Sequence, residues 1–293
     1  MYDIEALYEA ESADHAVELL KAHPQARIIA GGSDVLIGIR EGKLAGCTLV
    51  SIQTLDELRG VSLEPDGTLR IGPVTSFSHI AADRLIQKYI PVLAEAVETI
   101  GGPQLRNIGT IGGNVCNGVT SADSASTLTA WEAVMEYQGP SGLRRVPVRE
   151  HYAGPGKTSL APAEILRGIL IPRKSYEGCY GRYIKYAMRN ALDIATLGCS
   201  ANVRLSEDRS TIERMRIAYG VAGPVPMRAP SAEEAARGRP VSEATIDAAA
   251  KAALADVNPR TSWRAAREFR LHLVEELARR TIRESIQMAG GRL

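Results

Sequence analysis

Asn107-Ile108-Gly109-Thr110-Ile111-Gly112-Gly113-Asn114 is the stretch on which the reading of this 293-residue chain turns. Three glycines stand here among small and β-branched residues, and an unusual polar run, Asn117-Gly118-Val119-Thr120-Ser121-Ala122-Asp123, follows closely. A glycine pair lets another molecule approach the main chain, and successive exposed amides form a concave nest for anions. A second pair, Ala30-Gly31-Gly32-Ser33-Asp34, closes the apolar run Arg27-Ile28-Ile29-Ala30. The expectation is that the two bends face each other and hold one dinucleotide, its diphosphate gripped by backbone amides. A tight turn also uses such a pair, so either bend alone says little. Two of them, each flanked by Thr, Ser, Asn or Asp, carry the reading.

Working outward, the length allows an ample core and two or three domains. Hydrophobic residues make up 45% and charged residues 24%, as in ordinary globular chains. With a formal net charge of +1, no global field points to nucleic acid or an anionic membrane. No apolar window reaches bilayer-spanning length, and the acidic first eleven residues lack the basic-then-apolar order of a signal peptide. A cytoplasmic protein with neither nucleic-acid nor membrane partners is expected. Cys47, Cys116, Cys179 and Cys199 are widely separated, so neither zinc nor an iron–sulfur cluster has recognisable ligand spacing. The five histidines form no HxxH or HExxH pattern, and no metal site is expected.

In chain order, Ser12 caps a helix carrying Ala16, Val17, Leu19 and Leu20 that ends before Pro24. Strands are predicted over 27–30 and 48–52, making a small βαβ-like unit, and a hairpin at Asp66-Gly67 joins 61–63 to 68–71. Helices are expected from Thr75 or Ser76, from Pro91, and over 124–131. Strands 134–137 and 143–148 pair across Gly139-Pro140-Ser141-Gly142. Gly154-Pro155-Gly156-Lys157-Thr158-Ser159 ends like a P-loop, but His151 stands where the first glycine belongs, which excludes that motif. An apolar strand over 164–171 and a joint over 175–181 lead to a separate α+β unit. There, 183–187, 195–205 and 214–221 read as a meander. Helices over 232–237, 243–255 and 262–288 follow, the last with Ala266, Phe269, Leu273 and Leu277 on one face.

Several motifs then fall in a telling order. Ala30-Gly31-Gly32-Ser33-Asp34 is followed by Gln104-Leu105-Arg106-Asn107 running into Thr110-Ile111-Gly112-Gly113-Asn114, then by Gly156-Lys157-Thr158 and Glu164-Ile165-Leu166. Lys185, Ala187-Met188-Arg189 and Asp193-Ile194-Ala195 complete the set. Together they resemble the FAD-binding medium subunits of the molybdenum hydroxylases, in the bacterial xanthine dehydrogenase branch, over essentially the whole chain. The resemblance implies an α+β protein with a two-subdomain FAD-binding fold of the vanillyl-alcohol oxidase (PCMH) type. A C-terminal α+β domain of the CO dehydrogenase flavoprotein type, with a small antiparallel sheet, would follow. The boundaries would be 1–176, with subdomains of about 1–55 and 56–176, and 177–293.

Carried over position by position, Arg27, Ile28, Ile29, Ala30, Gly31, Gly32, Ser33 and Asp34 would contact the FAD diphosphate and its flanking groups. So would Thr110, Ile111, Gly112, Gly113 and Asn114. Asn117 would add a polar contact and Asp123 would accept from the adenosine ribose hydroxyls. Ile100 and Gly101 would lie beside the flavin ring, with Leu166 and Lys185 at the isoalloxazine, the lysine offsetting charge on the reduced ring. Lys185 also fits a surface lysine on an edge strand. Asp193 matches an acidic position near the nicotinamide site and equally fits an ordinary turn aspartate.

Val119-Thr120-Ser121-Ala122 stands where many relatives carry an Ala-Ser-Pro run. No histidine adjoins a glycine bend, so the FAD is expected to be non-covalent. The implied role is that of an electron-transfer oxidoreductase subunit in a heterotrimer of purine metabolism. Electrons would come from [2Fe-2S] clusters on an iron–sulfur subunit, fed by a molybdenum-cofactor subunit, and leave to NAD+ or another acceptor. The alternatives are a self-sufficient flavin oxidase or reductase of the same fold and a non-enzymatic nucleotide-binding protein.

Overall fold

A computed structural model describes residues 2–293. Its first sheet is parallel, built from β1 (Ile4–Glu9), β2 (Arg27–Ile29) and β3 (Cys47–Ser51) in the order β1-β3-β2. The helix Ala13–Ala22 makes the first crossover, its end closed by Ser12 accepting the His15 amide at 3.0 Å. Ala13, Ala16, Val17 and Leu20 pack from it into a small core with Val50, Ile52, Leu55 and Leu58. β1 lies in the acidic segment to which the sequence reading assigned no element. Glu5, Leu7 and Glu9 alternate outward along it, so its inward face carries only Ile4, Ala6 and Tyr8.

The second sheet is antiparallel. It comprises β4 (Val61–Leu63), β5 (Leu69–Ile71), β6 (Val134–Gly139) and β7 (Gly142–Pro147). A minor hairpin, β8 (Tyr152–Gly154) and β9 (Lys157–Thr158), turns through the glycine-rich loop before β10 (Ile165–Ile171) enters as the central strand. The order is β4-β5-β10-β6-β7. Both expected hairpins are present, turning at Gly67 and Gly142 with φ of +81° and +95°, values that favour glycine. Helices Phe77–Ala82, Arg84–Tyr89 and Pro91–Glu98 help enclose the largest core, around Leu93, Val97, Leu128, Trp131, Ile169 and Ile171. The middle helix of the three, capped by Asp83 on two amides, was not foreseen.

β11 (Tyr180–Tyr186), β12 (Leu197–Leu205), β13 (Ile212–Gly220) and the short β14 (Met227–Arg228) form the expected antiparallel meander. On this sheet lie helices Pro230–Ala236, Glu243–Ala252 and Arg267–Met288. The last begins five residues later than expected, because Ser262 and Ala265 close a tight turn by exchanging backbone hydrogen bonds. Its buried stripe is Leu273, Val274, Leu277, Ala278, Ile282 and Ile286. Phe269 points to solvent instead, and Arg270 takes the inward position one residue on.

The helix Asp123–Ala130 joins the units. All eight of its residues are buried, and it packs against both Pro91–Glu98 and the strands β12 and β13. Small side chains at Ser124, Ala125 and Ser126 let neighbours approach from every side. Among the described residues, no helix is long and apolar enough to cross a membrane.

A buried polar link fastens the central stretch to the second sheet. His151 is fully buried, with Nε2 donating to the Val115 carbonyl at 3.1 Å and Nδ1 accepting the Tyr137 hydroxyl at 2.5 Å. Burial holds the imidazole below its ordinary pKa of 6.5, and pushes the Tyr137 hydroxyl up to about 12. The unfolded chain therefore binds a proton near pH 6.5 that the folded chain refuses. The stabilisation is complete above that pH and is lost as pH falls below it. Urea unfolding at pH 7.5, 6.5 and 5.5 should show stability falling with acid by up to about 1.4 kcal/mol per pH unit. His151→Gln, which cannot titrate, should lack this slope; an identical slope in the variant would contradict it.

Candidate functional site

The first glycine bend touches the stretch that leads into the second, at Ile108 and Gly109. A methyl group on Gly31 would fall 1.9 Å from the Ile108 carbonyl oxygen and 3.1 Å from the Gly109 Cα, so only glycine fits there. A loop leaving β2 in the first sheet thus abuts a loop of the second unit. Gly32 continues the bend at φ +72°. The amides of Gly31, Gly32, Ser33 and Asp34 find no acceptor among the described residues. Four adjacent donors without partners are what an anion requires.

The second bend differs from expectation. Thr110 is the N-cap of a short helix, Ile111–Cys116, so Gly112 and Gly113 lie within helix rather than in an open nest. Their amides are already engaged: Gly112 donates to Pro73 O at 2.8 Å and Gly113 to Thr110 Oγ1 at 3.1 Å. Ile111 and Asn114 donate to Thr75 O and Thr110 O, both at 3.0 Å. The expected amide grip at Ile111, Gly112, Gly113 and Asn114 is therefore corrected. This bend offers the Thr110 hydroxyl hydrogen, the Asn114 amide group and an open main-chain face at Gly113. Gly112 is needed for packing, because a Cβ there would meet Pro73 O at 2.6 Å, whereas one on Gly113 meets only Thr110 Oγ1 at 3.1 Å.

From Asn114 a polar chain runs to the third sheet. Asn114 Oδ1 accepts from Ser124 Oγ at 2.7 Å, and the neighbouring Asp123 is buried between Tyr183 and Lys185. Its Oδ1 accepts the Tyr183 hydroxyl at 2.7 Å and its Oδ2 accepts Lys185 Nζ at 2.8 Å. Lys185 also donates to the Thr99 carbonyl at 3.0 Å, next to Ile100. Burial pushes the Asp123 carboxyl up while the Lys185 charge pulls it back, and Tyr183 is driven well above the usual phenol range by burial and then by Asp123. Lys185 sits on edge strand β11, yet its side chain is 9% exposed and paired, which removes the surface-lysine reading.

This contact bears on two assigned roles. Asp123 was expected at the adenosine ribose and Lys185 at the isoalloxazine, which are opposite ends of an extended dinucleotide. Groups 2.8 Å apart cannot serve both ends. Both Asp123 oxygens are engaged by protein donors, which argues against the ribose role. Tyr183 was missed, although it lies two residues before Lys185 on one strand and hence on the same face.

The remaining positions are more dispersed. Arg27 is exposed on β2, Ile28 and Ala30 pack into the first core, and Ile29 is half-buried beside Gly32. Gly101, at φ +50°, and Ile100 have their carbonyls held by Arg106 Nη1 at 3.3 and 3.1 Å. Ile100 packs on the core that contains buried Leu166. Asn117 closes the helix Ile111–Cys116, its amide donating to Gly113 O. Asp193 accepts the amides of Arg189 and Ile194 at 3.0 and 2.9 Å; desolvation opposes ionisation, but these donors hold its carboxyl below the ordinary range. Thr99, Lys185, Tyr186, Arg189 and Asp193 share the lining of an open cavity of about 590 Å³. Among the described residues, no group of three or more His, Cys, Asp or Glu is placed to hold a metal ion.

Comparison with known proteins accords with this geometry. Residues 2–174 match the model of the FAD binding domain in molybdopterin dehydrogenase, and residues 182–285 match the CO dehydrogenase flavoprotein C-terminal domain. The chain is 42% identical over 293 residues to the xanthine dehydrogenase FAD-binding subunit of Escherichia coli O157:H7, covering 100% of both. It is 29% identical to the carbon monoxide dehydrogenase medium chain of Hydrogenophaga pseudoflava, covering 93% of each. A solved carbon monoxide dehydrogenase structure from that organism superposes with a TM-score of 0.92 at 29% identity, covering 99% of both chains.

Gly31 and Gly113 should separate in their effects. Gly113→Val should leave the apo fold intact while abolishing bound flavin, read as loss of visible absorbance. Gly31→Ala, forced onto the Ile108 carbonyl, should cost about 1–3 kcal/mol in unfolding as well. Full flavin content in Gly113→Val would remove the second bend from the site.

Proposed function

Because this chain belongs to the FAD-binding subunits of the molybdenum hydroxylase family, we propose that it serves as the electron-transfer flavin subunit of a xanthine dehydrogenase-like assembly. The observation that carries the reading is the run of four unpartnered amides at Gly31, Gly32, Ser33 and Asp34, placed against the main chain of Ile108 and Gly109. These donors suit the FAD diphosphate, and Thr110 and Asn114 would add side-chain donors. Bound FAD supplies the chemistry that links one-electron donors to a two-electron acceptor such as NAD+.

The protein's own residues bind, orient and tune. Gly31 brings the first bend against Ile108 and Gly109, Gly113 leaves room for close approach, and Ile100 and Gly101 would offer surface for the ring, with Leu166 in the core on which Ile100 packs. Lys185 would place positive charge near the ring, and Asp123 and Tyr183 hold that lysine in position. Asp193 and Arg189, across the same cavity, border the place where an acceptor would enter. Cys47, Cys116, Cys179 and Cys199 are widely separated in the sequence, so iron–sulfur clusters and molybdenum cofactor would be carried by partner chains.

Purification of the native assembly provides the test. Iron, molybdenum and FAD should co-elute with this chain, and NADH should bleach the flavin band. A metal-free chain turning over a small molecule alone would contradict the reading. Lys185→Met should lower the flavin potential and, by leaving Asp123 buried without its cation, cost about 3–5 kcal/mol of stability. An unchanged potential in that variant would remove Lys185 from the ring.

A further inference from the structure

The start of the helix Arg267–Met288 is electrostatically uncompensated. Arg270 is 2% exposed and donates to Thr196 O at 2.9 Å and Ser262 Oγ at 2.7 Å, but it meets no carboxylate. Its Nε and that of Arg264 are buried without partners. Burial and then the nearby charges of Arg260 and Arg264 depress the Arg270 pKa. None of Arg260, Arg264, Arg267 and Arg270 forms an ion pair among the described residues. Further along the same helix, Arg279, Arg280 and Arg283 are paired with Asp247, Glu275, Glu276 and Glu243. A helix N-terminus is itself partly positive, so these guanidiniums repel both one another and the helix end. Glu268 is the only acid in the first turn, and it points to solvent.

Apolar surface surrounds the cluster. Trp263 is 76% exposed, with the Arg264 guanidinium 4.2 Å from its ring centroid. Exposed Phe269 packs edge-on against Tyr186, with ring centroids 5.7 Å apart. Tyr186 accepts the Thr196 amide through its carbonyl, which ties this rim to the carbonyl that Arg270 grips. Tyr186 also lines the cavity beside Lys185. Trp, Tyr and Arg around a desolvated centre form the composition of protein-binding hot spots. A small anion would answer the charge and leave the aromatic rim uncovered.

We propose that this face docks a partner subunit of the assembly through a segment presenting a carboxylate among apolar side chains. The inference rests on the multi-subunit reading above. It places the partner contact at the edge strand β11, where Tyr186 packs against Phe269 and also borders the cavity.

The test uses the full chain co-expressed with the iron–sulfur and molybdenum-cofactor subunits, with assembly measured by native mass spectrometry and sedimentation. Arg264→Glu and Trp263→Ala should each weaken association by about 30-fold or more, as expected for hot-spot residues, with flavin content unchanged. Arg264→Lys should retain most of the affinity, and added salt should weaken the wild-type complex. Wild-type affinity in both variants would overturn the inference. So would loss of flavin alongside loss of assembly, or disruption of self-association of this chain alone. Failure of the wild-type chain to assemble at all would remove the multi-subunit reading itself, a result distinct from failure at this face.

Discussion

The structure depends on an approach that a single methyl group would forbid. Gly31 lies so close to the Ile108 carbonyl that the bend after β2 and the stretch before Thr110 form one surface, although they belong to different sheets. Glycine makes this possible because it has no Cβ, and the bend then leaves four amides unpaired within the protein. At this half-exposed bend the unpaired donors are left to water or to a ligand that displaces it. An anionic diphosphate supplies several acceptors at once, which makes the geometry coherent as a cofactor cradle.

A second constraint joins the flavin-binding units to the C-terminal sheet. Asp123 stands on a wholly buried helix, and Tyr183 and Lys185 reach it from β11. The ion pair is shielded from solvent, so it is sensitive to the loss of either partner, and the Thr99 carbonyl gives the ammonium a second acceptor. Through Ser124 and Asn114 the same polar chain reaches the helix that carries Gly113. His151 fixes the far end of that helix through Val115. Side chains from the second and third units thus set the shape of one site, beside which the first unit presents its main-chain amides.

Much of this was legible in the sequence, and the failures have physical causes. Hairpins at Gly67 and Gly142, the Ser12 and Ser76 caps and the C-terminal meander are local signals, and each appears as expected. β1 was hidden because Leu7 faces outward and Ala6 inward, which blurs the alternation a half-solvated strand would otherwise show. Gly112 and Gly113 look like a turn, and only the tertiary contact with Pro73 and the Thr110 cap draws them into a helix. Helical spacing with Ala266, Leu273 and Leu277 set Phe269 on the apolar face, whereas the fold buries Arg270 and leaves Phe269 outside. The union of Asp123 with Lys185 spans sixty-two positions and carries no local signal. The family resemblance identified both residues but set them at different ends of the ligand.

The cradle is built from main-chain donors, so amide exchange tests it most directly. Hydrogen–deuterium exchange on the flavin-stripped and FAD-loaded protein should show the amides of Gly31, Gly32, Ser33 and Asp34 slowing by at least about tenfold on loading. The amides of Gly112 and Gly113, already bonded within the protein, should change much less. Equal exchange of the first bend in both states, with protection confined to other segments, would contradict the account.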